Sequence, residues 1–323
     1  MKKIRIGIIG CANIVQRMMG PALKNAERFE LVAVASRTRS KADDFAAKLN
    51  CAALYDYDEL VARDDIDAVY IPLPIGLHEE WSLKALDHGK HVFCEKSLST
   101  DHASVKKIID RATVRRKVVF ENFMFVHHSQ IEWMKERIRE GAIGDIRCMR
   151  SSFGFPLFEA ATNIRYKKEL GGGVLLDAGS YTVKAASLIL GNDFRVKAAT
   201  LKQSEEYGVD FYGGALLENG QGLFSQIAFG FDNFYQCAIE LWGSKGKLTL
   251  ERAFTAGPGI SPKAVIERQN ERNEYPLPPD DHFGKILAAF AQAIHNGDAV
   301  KEHENILLQS RLVQGVRDAA EKQ

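Results

Sequence analysis

Short apolar runs rich in β-branched residues recur through the first part of the chain. They are Ile4–Gly10, Leu31–Ser36, Ala68–Pro72, Lys90–Cys94 and Val118–Glu121. Their nearly continuous hydrophobicity, without strict alternation, predicts parallel strands covered on both faces. Between them the apolar positions change to helical spacing. Residues 40–49 put Ala42, Phe45, Ala46 and Leu49 on one face behind a Ser40 N-cap. Residues 77–89 group Trp81, Leu83, Ala85 and Leu86 and stop at Gly89, while 101–113 opens at Asp101. This alternation predicts an α/β doubly wound parallel sheet.

The pattern changes after Asn122. A helix over Gln130–Glu140 ends near Gly141. Longer strand candidates follow at Ile146–Gly154, Arg195–Gln203, Tyr207–Glu218, Gly222–Phe229, Tyr235–Trp242 and Gly246–Glu251. "NGQG" (219–222) and "GSKG" (243–246) read as hairpin turns. Strands without helices between them predict a large, open, mainly antiparallel sheet. Helices over His282–His295 and Glu302–Ala320 close the chain. The expected domains are 1–122 and 123–323, the second α+β, with the last helix (302–320) placed to pack back on the first.

Composition narrows the partners. The 323 residues carry 43 basic and 42 acidic side chains, so nothing calls for nucleic acid or an anionic membrane. The five cysteines are odd in number and none forms C-x-x-C, which points to a reducing cytoplasm rather than a disulfide framework or zinc site. The only tight histidine pair, His127-His128, is adjacent and does not share a helix face, so no metal is expected. The N-terminal apolar run reads as a first strand, not a signal peptide, and no segment is expected to span a membrane.

Candidate chemistry begins at "IRIGIIGCANIV" (4–15), a strand running into a helix where a dinucleotide turn would carry G-x-G-x-x-G. Gly10 supplies the tight turn. Ala12 is the smallest substitute for the second glycine, and Val15 is a poor third. Cys11, Ala12, Asn13 and Ile14 would offer backbone to a pyrophosphate, with Asn13 at the helix start. Alone, the stretch reads equally as a plain corner. The second strand ends in Ser36-Arg37 without an acid, followed by Arg39 and Lys41. A hydroxyl and a guanidinium suit a 2′-phosphate, so NADP(H) is expected rather than NAD(H). A later strand ends in Glu95-Lys96, at the sheet edge where such folds bind ligands. Lys96 reads either as a solvated charge or as an acid-base group beside a nicotinamide.

"DDIDAVYIPLPIGLHEEW", "GKHVFCEKSL", "ENFMF" and "GGGVLLDAGSY" occur in that order along the chain. Together they resemble the Gfo/Idh/MocA oxidoreductases. The resemblance implies a Rossmann domain and a second domain whose open sheet forms homo-oligomers, dimers or tetramers. It implies that Lys96, in the family's E-K-P, lies beside the nicotinamide and partners the D-x-G-x-H segment. Two positions depart. Ser97 replaces the proline, which leaves the placement of Lys96 open. Tyr181 stands at the histidine and Lys184 at a later aspartate.

Tyrosine there resembles a subgroup: glucose–fructose oxidoreductases, dihydrodiol and xylose dehydrogenases, and sugar-nucleotide 3-ketoreductases. "GCANI", "ENFMFVHH", "IRYKKELGGGVLLDAGSY" and "RAFTA" are most similar to the 3-ketoreductases of deoxysugar biosynthesis. These reduce the C3 keto group of a dTDP-linked keto-deoxysugar with NADPH. The resemblance implies Lys96 and Tyr181 as the proton-donor pair, and Leu73, Pro74, His78, Glu95 and Asn122 around the cofactor. Arg165 would meet a phosphate or the nicotinamide end, Asp177 would orient the proton-donor group or the ribose as part of the cofactor site, and Lys184, Tyr235 and Thr255 would meet the substrate. His78 and Asp177 also read as helix caps, and Arg165 as a surface charge. Two alternatives stand beside the ketoreductase: an NADP-dependent dehydrogenase of a free sugar or trans-dihydrodiol, and a non-catalytic cofactor-binding sensor. Retention of both Lys96 and Tyr181 counts against the sensor.

Overall fold

The computed structural model describes residues 2–159 and 163–322. The first sheet is built from β1 (Ile4–Ile9), β2 (Phe29–Ala35), β3 (Ala52–Leu54), β4 (Ala68–Ile71), β5 (His91–Cys94) and β6 (Val119–Glu121). The intervening helices are α1 (Gly20–Asn25), α2 (Arg39–Leu49), α3 (Tyr57–Ala62), α4 (His78–Asp87) and α5 (His102–Arg115). The strands are parallel, in the order β3-β2-β1-β4-β5-β6. Ile6, Ile8, Val69, Ile71, Val92 and Val119 are fully buried, as continuous apolar strands require. The strand order reverses between β1 and β4, which places a ligand crevice at their C-terminal ends. β3 had no sequence signal: three residues, Ala-Ala-Leu, are too few to show a period.

The second sheet follows α6 (Ser129–Arg139) and begins with β7 (Ile146–Phe155). α7 (Ser180–Leu190) precedes β8 (Phe194–Gln203), β9 (Asp210–Asn219), β10 (Phe224–Phe231), β11 (Gln236–Gly243), β12 (Lys247–Leu250), β13 (Lys263–Arg268) and β14 (Glu271–Pro276). The order is β14-β13-β12-β11-β7-β10-β9-β8, antiparallel except for the β7–β10 pair. The sheet is therefore mixed and mainly antiparallel. Both expected hairpin turns are present: Phe224 faces Glu218 across the first, and Gly243 N–H donates to Gly246 O (2.8 Å) across the second. β14 is exposed at every residue and carries no alternation, so no pattern foretold it. α7 packs on β7 and β10, burying Phe153, Ile227 and Phe229, and leaves the opposite face of the sheet open.

The chain ends in α8 (His282–Asn296) and α9 (Val300–Glu321). Two compact units result, Met1–Phe123 with Phe283–Leu307, and Met124–His282 with Leu308–Gln323. The first unit is thus discontinuous, unlike the contiguous 1–122 expected. The reason lies in its core: Phe290 of α8 sits 6.2, 5.3 and 5.4 Å from the rings of Phe29, Phe93 and Phe120. The helical run Lys168–Leu190 has the length and apolar content of a membrane span, although most of it is buried within the fold. It is assembled from 3-10, π and α turns around α7, a core helix by its packing.

Candidate active site

At the end of β1, Gly10 adopts φ 113° and its N–H donates to Ala35 O (2.9 Å). That φ strains any residue with a side chain, and a Cβ on Gly10 would in addition push on Leu73 Cδ2, 2.7 Å away. Gly10 and Leu73 thus lie together just past the ends of β1 and β4, the point of strand-order reversal. Cys11, Ala12 and Ile14 are half-buried and Asn13 is exposed. Ala12 O accepts from Val15 N–H (3.0 Å). The helix then opens with a wide π turn, Val15–Met19, rather than a regular α turn. Val15 is buried at the start of that turn, and at its end Gly20 N–H returns to Val15 O, where a Cβ would stand 2.5 Å from the same carbonyl.

Ser36 is buried at the end of β2, its Oγ accepting from Thr38 N–H (3.2 Å) and its hydroxyl facing the Cys11 thiol. Arg37 is exposed beside it, and the Arg39 guanidinium lies 3.8 Å over the Tyr55 ring. No acidic residue ends this strand. The glycine-only turn and the basic strand end fit a nicotinamide dinucleotide carrying a 2′-phosphate.

The ends of β4, β5 and β6 converge on Glu95. Tyr70 O–H and Asn122 Nδ2 both donate to Glu95 Oε1, at 2.6 and 2.7 Å. Burial pushes the Glu95 carboxyl up in pKa, opposed by these donors. Burial and the neighbouring Glu95 raise the Tyr70 phenol well above its usual range. Lys96 follows, and the Lys96–Ser97 bond is cis. His78, fully buried at the start of α4, has Nδ1 2.8 Å from Ser97 O and Nε2 2.7 Å from Leu73 O. Desolvation lowers its pKa to about 4, opposed by the two carbonyls, and a neutral ring, with one N–H, donates to one of them. Both ring nitrogens therefore face the two loops rather than a ligand. Leu73, half-buried, borders the Gly10 turn, and Pro74, also half-buried, follows it.

In the second unit, Tyr181 lies one residue into α7, just past a π turn over Leu175–Gly179. Its ring is 7% exposed and contacts Phe125, Phe153 and Phe254 at 5.7, 5.3 and 5.6 Å. Its hydroxyl donates to Met124 Sδ (3.7 Å). Asp177 pairs with Arg165 Nε (2.6 Å), and the Arg165 guanidinium also lies 5.2 Å from the Phe158 ring. Asp177 strengthens the positive charge on Arg165. Gly173, at φ 119°, leaves room for Asp210, whose Oδ2 accepts Leu175 N–H (2.6 Å) and fixes the start of the π turn. Lys184 is buried on α7. Tyr235 Oη and Thr255 Oγ1 are 2.5 Å apart, with Cys237 Sγ 3.3 Å from the same hydroxyl.

Lys96 belongs to the first unit and Tyr181 to the second. Sequence reading missed Tyr70, Glu121 and the aromatic box. Tyr70 and Glu121 were visible as polar interruptions of apolar strands. Phe125, Phe153 and Phe254 come from separate elements with no shared spacing.

Family models match both halves: an oxidoreductase family with an NAD-binding Rossmann fold over residues 4–123, and the GFO/IDH/MocA C-terminal domain over 131–249. A dTDP-3,4-didehydro-2,6-dideoxy-alpha-D-glucose 3-reductase of Streptomyces violaceoruber is 41% identical, covering 99% of this chain and 96% of its own. An NADP-dependent D-xylose 1-dehydrogenase of Haloferax volcanii is 31% identical over 98% of this chain and 97% of its own. Among solved structures, the 3-ketoreductase KijD10 of Actinomadura kijaniata, in complex with NADP and TDP-benzene, matches with TM-score 0.96. It is 39% identical, and the match covers 98% of each chain. With the turn, strand order and two-unit plan described above, these likenesses show that the chain is a member of the GFO/IDH/MocA oxidoreductase family.

Proposed function

We propose that this protein is an NADPH-dependent reductase of the C3 keto group of a nucleotide-linked, dTDP-type keto-deoxysugar. The observation that carries the reading is the full-length likeness to a 3-ketoreductase solved with NADP and a TDP compound. Gly10 to Ile14 would hold the pyrophosphate, and Ser36 and Arg37 the 2′-phosphate. Leu73, Pro74, Glu95, Lys96 and Asn122 would line the nicotinamide side, with Arg165 and Asp177 as a further pair. His78 would act through the loops it joins. The cofactor, when bound, supplies the hydride.

Tyr181 donates a proton to the developing alkoxide, and the Lys96 ammonium favours that transfer by stabilising negative charge on the phenol oxygen. Lys184, Tyr235 and Thr255 contact the substrate. The open sheet face supports a homodimer or tetramer. Ala238, Ser152, Ala228, Gly214 and Thr200 form a flat row across five strands, bordered by exposed Tyr212, Leu216 and Trp242. The five free cysteines support a cytoplasmic location.

The test is NADPH oxidation with a dTDP-linked 3-keto sugar, beside NADP reduction with free xylose and a trans-dihydrodiol. Turnover of the sugar nucleotide alone is expected. Efficient oxidation of a free sugar with no reaction of the nucleotide would replace this reading with the dehydrogenase. NADP binding without turnover of any of them would favour a sensor.

A further inference from the structure

One peptide group next to Lys96 is gripped at both polar ends. Its carbonyl, Ser97 O, lies 2.8 Å from His78 Nδ1, which donates to it in the Nδ1–H tautomer. Its amide, Leu98 N–H, donates to Glu121 Oε1 at 2.8 Å. The two gripping side chains come from opposite sides, His78 from the start of α4 and Glu121 from the end of β6, and both are buried, at 0% and 5% exposure. On the other side of Lys96, the sheet ladder fixes the chain, with Glu95 N–H donating to Ile71 O (3.1 Å) and Asn122 N–H to Cys94 O (2.8 Å). Lys96 therefore stands between two fixed backbone points only a few bonds apart.

A carboxylate at the end of an otherwise apolar strand is costly to bury. The fold retains it where it satisfies an amide that the sheet ladder no longer reaches. We propose that Glu121 and His78 are positioning residues, clamping the Ser97–Leu98 peptide so that the Lys96 ammonium is held for proton transfer. This rests on the reading of Lys96 as part of the proton-donor pair. The clamp serves the chemical step and leaves dinucleotide affinity to the Gly10 turn and the Ser36-Arg37 end.

The experiment compares wild type, Glu121→Ala, Glu121→Gln, Glu121→Asp, Lys96→Ala and the Lys96→Ala/Glu121→Ala pair. It uses kcat and KM with a dTDP-linked 3-keto sugar, and NADPH Kd by fluorescence. Glu121→Ala is expected to lower kcat roughly ten- to a hundredfold with NADPH Kd within about twofold, as displacement of a reacting group does. Glu121→Gln keeps an acceptor oxygen and restores most of the rate. On the Lys96→Ala background the Glu121 substitution costs nothing more. Glu121→Asp, one methylene short, carries the same expectation should the alanine variant fail to fold. An unchanged kcat in Glu121→Ala or Glu121→Asp, or an equal further loss on the Lys96→Ala background, overturns the clamp. Wild-type turnover by Lys96→Ala instead overturns the reading of Lys96, and the clamp's purpose with it.

Discussion

The two proposed proton-donor residues sit in surroundings of opposite character. Lys96 lies in a corner held by buried hydrogen bonds: Tyr70 and Asn122 on Glu95, His78 and Glu121 on the Ser97–Leu98 peptide. Tyr181 lies in a box of aromatic rings with a thioether beneath its hydroxyl. A flexible ammonium stem is placed by fixing the backbone that carries it. A rigid ring is placed by packing against its faces. Hydrogen bonds are directional and fail sharply when one partner is lost. Packing is distributed and fails in proportion to the volume removed.

The largest expected effect tests whether the two regions serve one reaction. Lys96→Ala and Tyr181→Phe should each cut turnover by about 10²–10⁴-fold, measured by NADPH oxidation with the keto sugar nucleotide. A large loss in one and none in the other would end the comparison.

Next comes the difference in how each side fails. Phe254→Ala should destabilise the fold by about 3–5 kcal/mol in urea unfolding. Tyr70→Phe, which strips one donor from Glu95, should cost about 1–3 kcal/mol. Equal costs would mean that packing and hydrogen bonding contribute alike.

The smallest effect is a slope. The folded pKa of His78, about 4, lies below its ordinary value of 6.5, so the unfolded chain binds more protons between those values. Its stabilising contribution is complete above pH 6.5 and declines as pH falls toward 4, by at most about 1.4 kcal/mol per pH unit. His78→Gln should flatten the acid limb of stability against pH by that amount. An unchanged limb would mean that His78 is charged in the native corner. His282, also lowered to about 4 by burial, provides the matching test in the second unit.

Much of this was legible in the chain. Buried parallel strands declare themselves by continuous hydrophobicity, and β1, β2, β4, β5 and β6 fell within a residue or two of their expected ranges. Gly10 and the acid-free Ser36-Arg37 end pointed to the dinucleotide turn because each residue has a local job. What stayed hidden was whatever depends on distant partners. Nothing around Val15 announces a π turn. The aromatic box joins residues from 125 to 254, and β14 is polar throughout. His78 stands out in the sequence, but the two carbonyls it faces come from loops brought together only by folding.

Phe290 has a consequence for how the protein is made. The ribosome releases Phe29, Phe93 and Phe120 early, yet the ring that fills the space among them arrives only after the entire second sheet has been synthesised. Until then the nascent first unit exposes an aromatic face. A truncated chain ending near Phe123 would carry the whole parallel sheet and still lack part of its own core. The limits of the dinucleotide-binding half drawn from sequence are therefore not the limits of a segment able to complete its own folding.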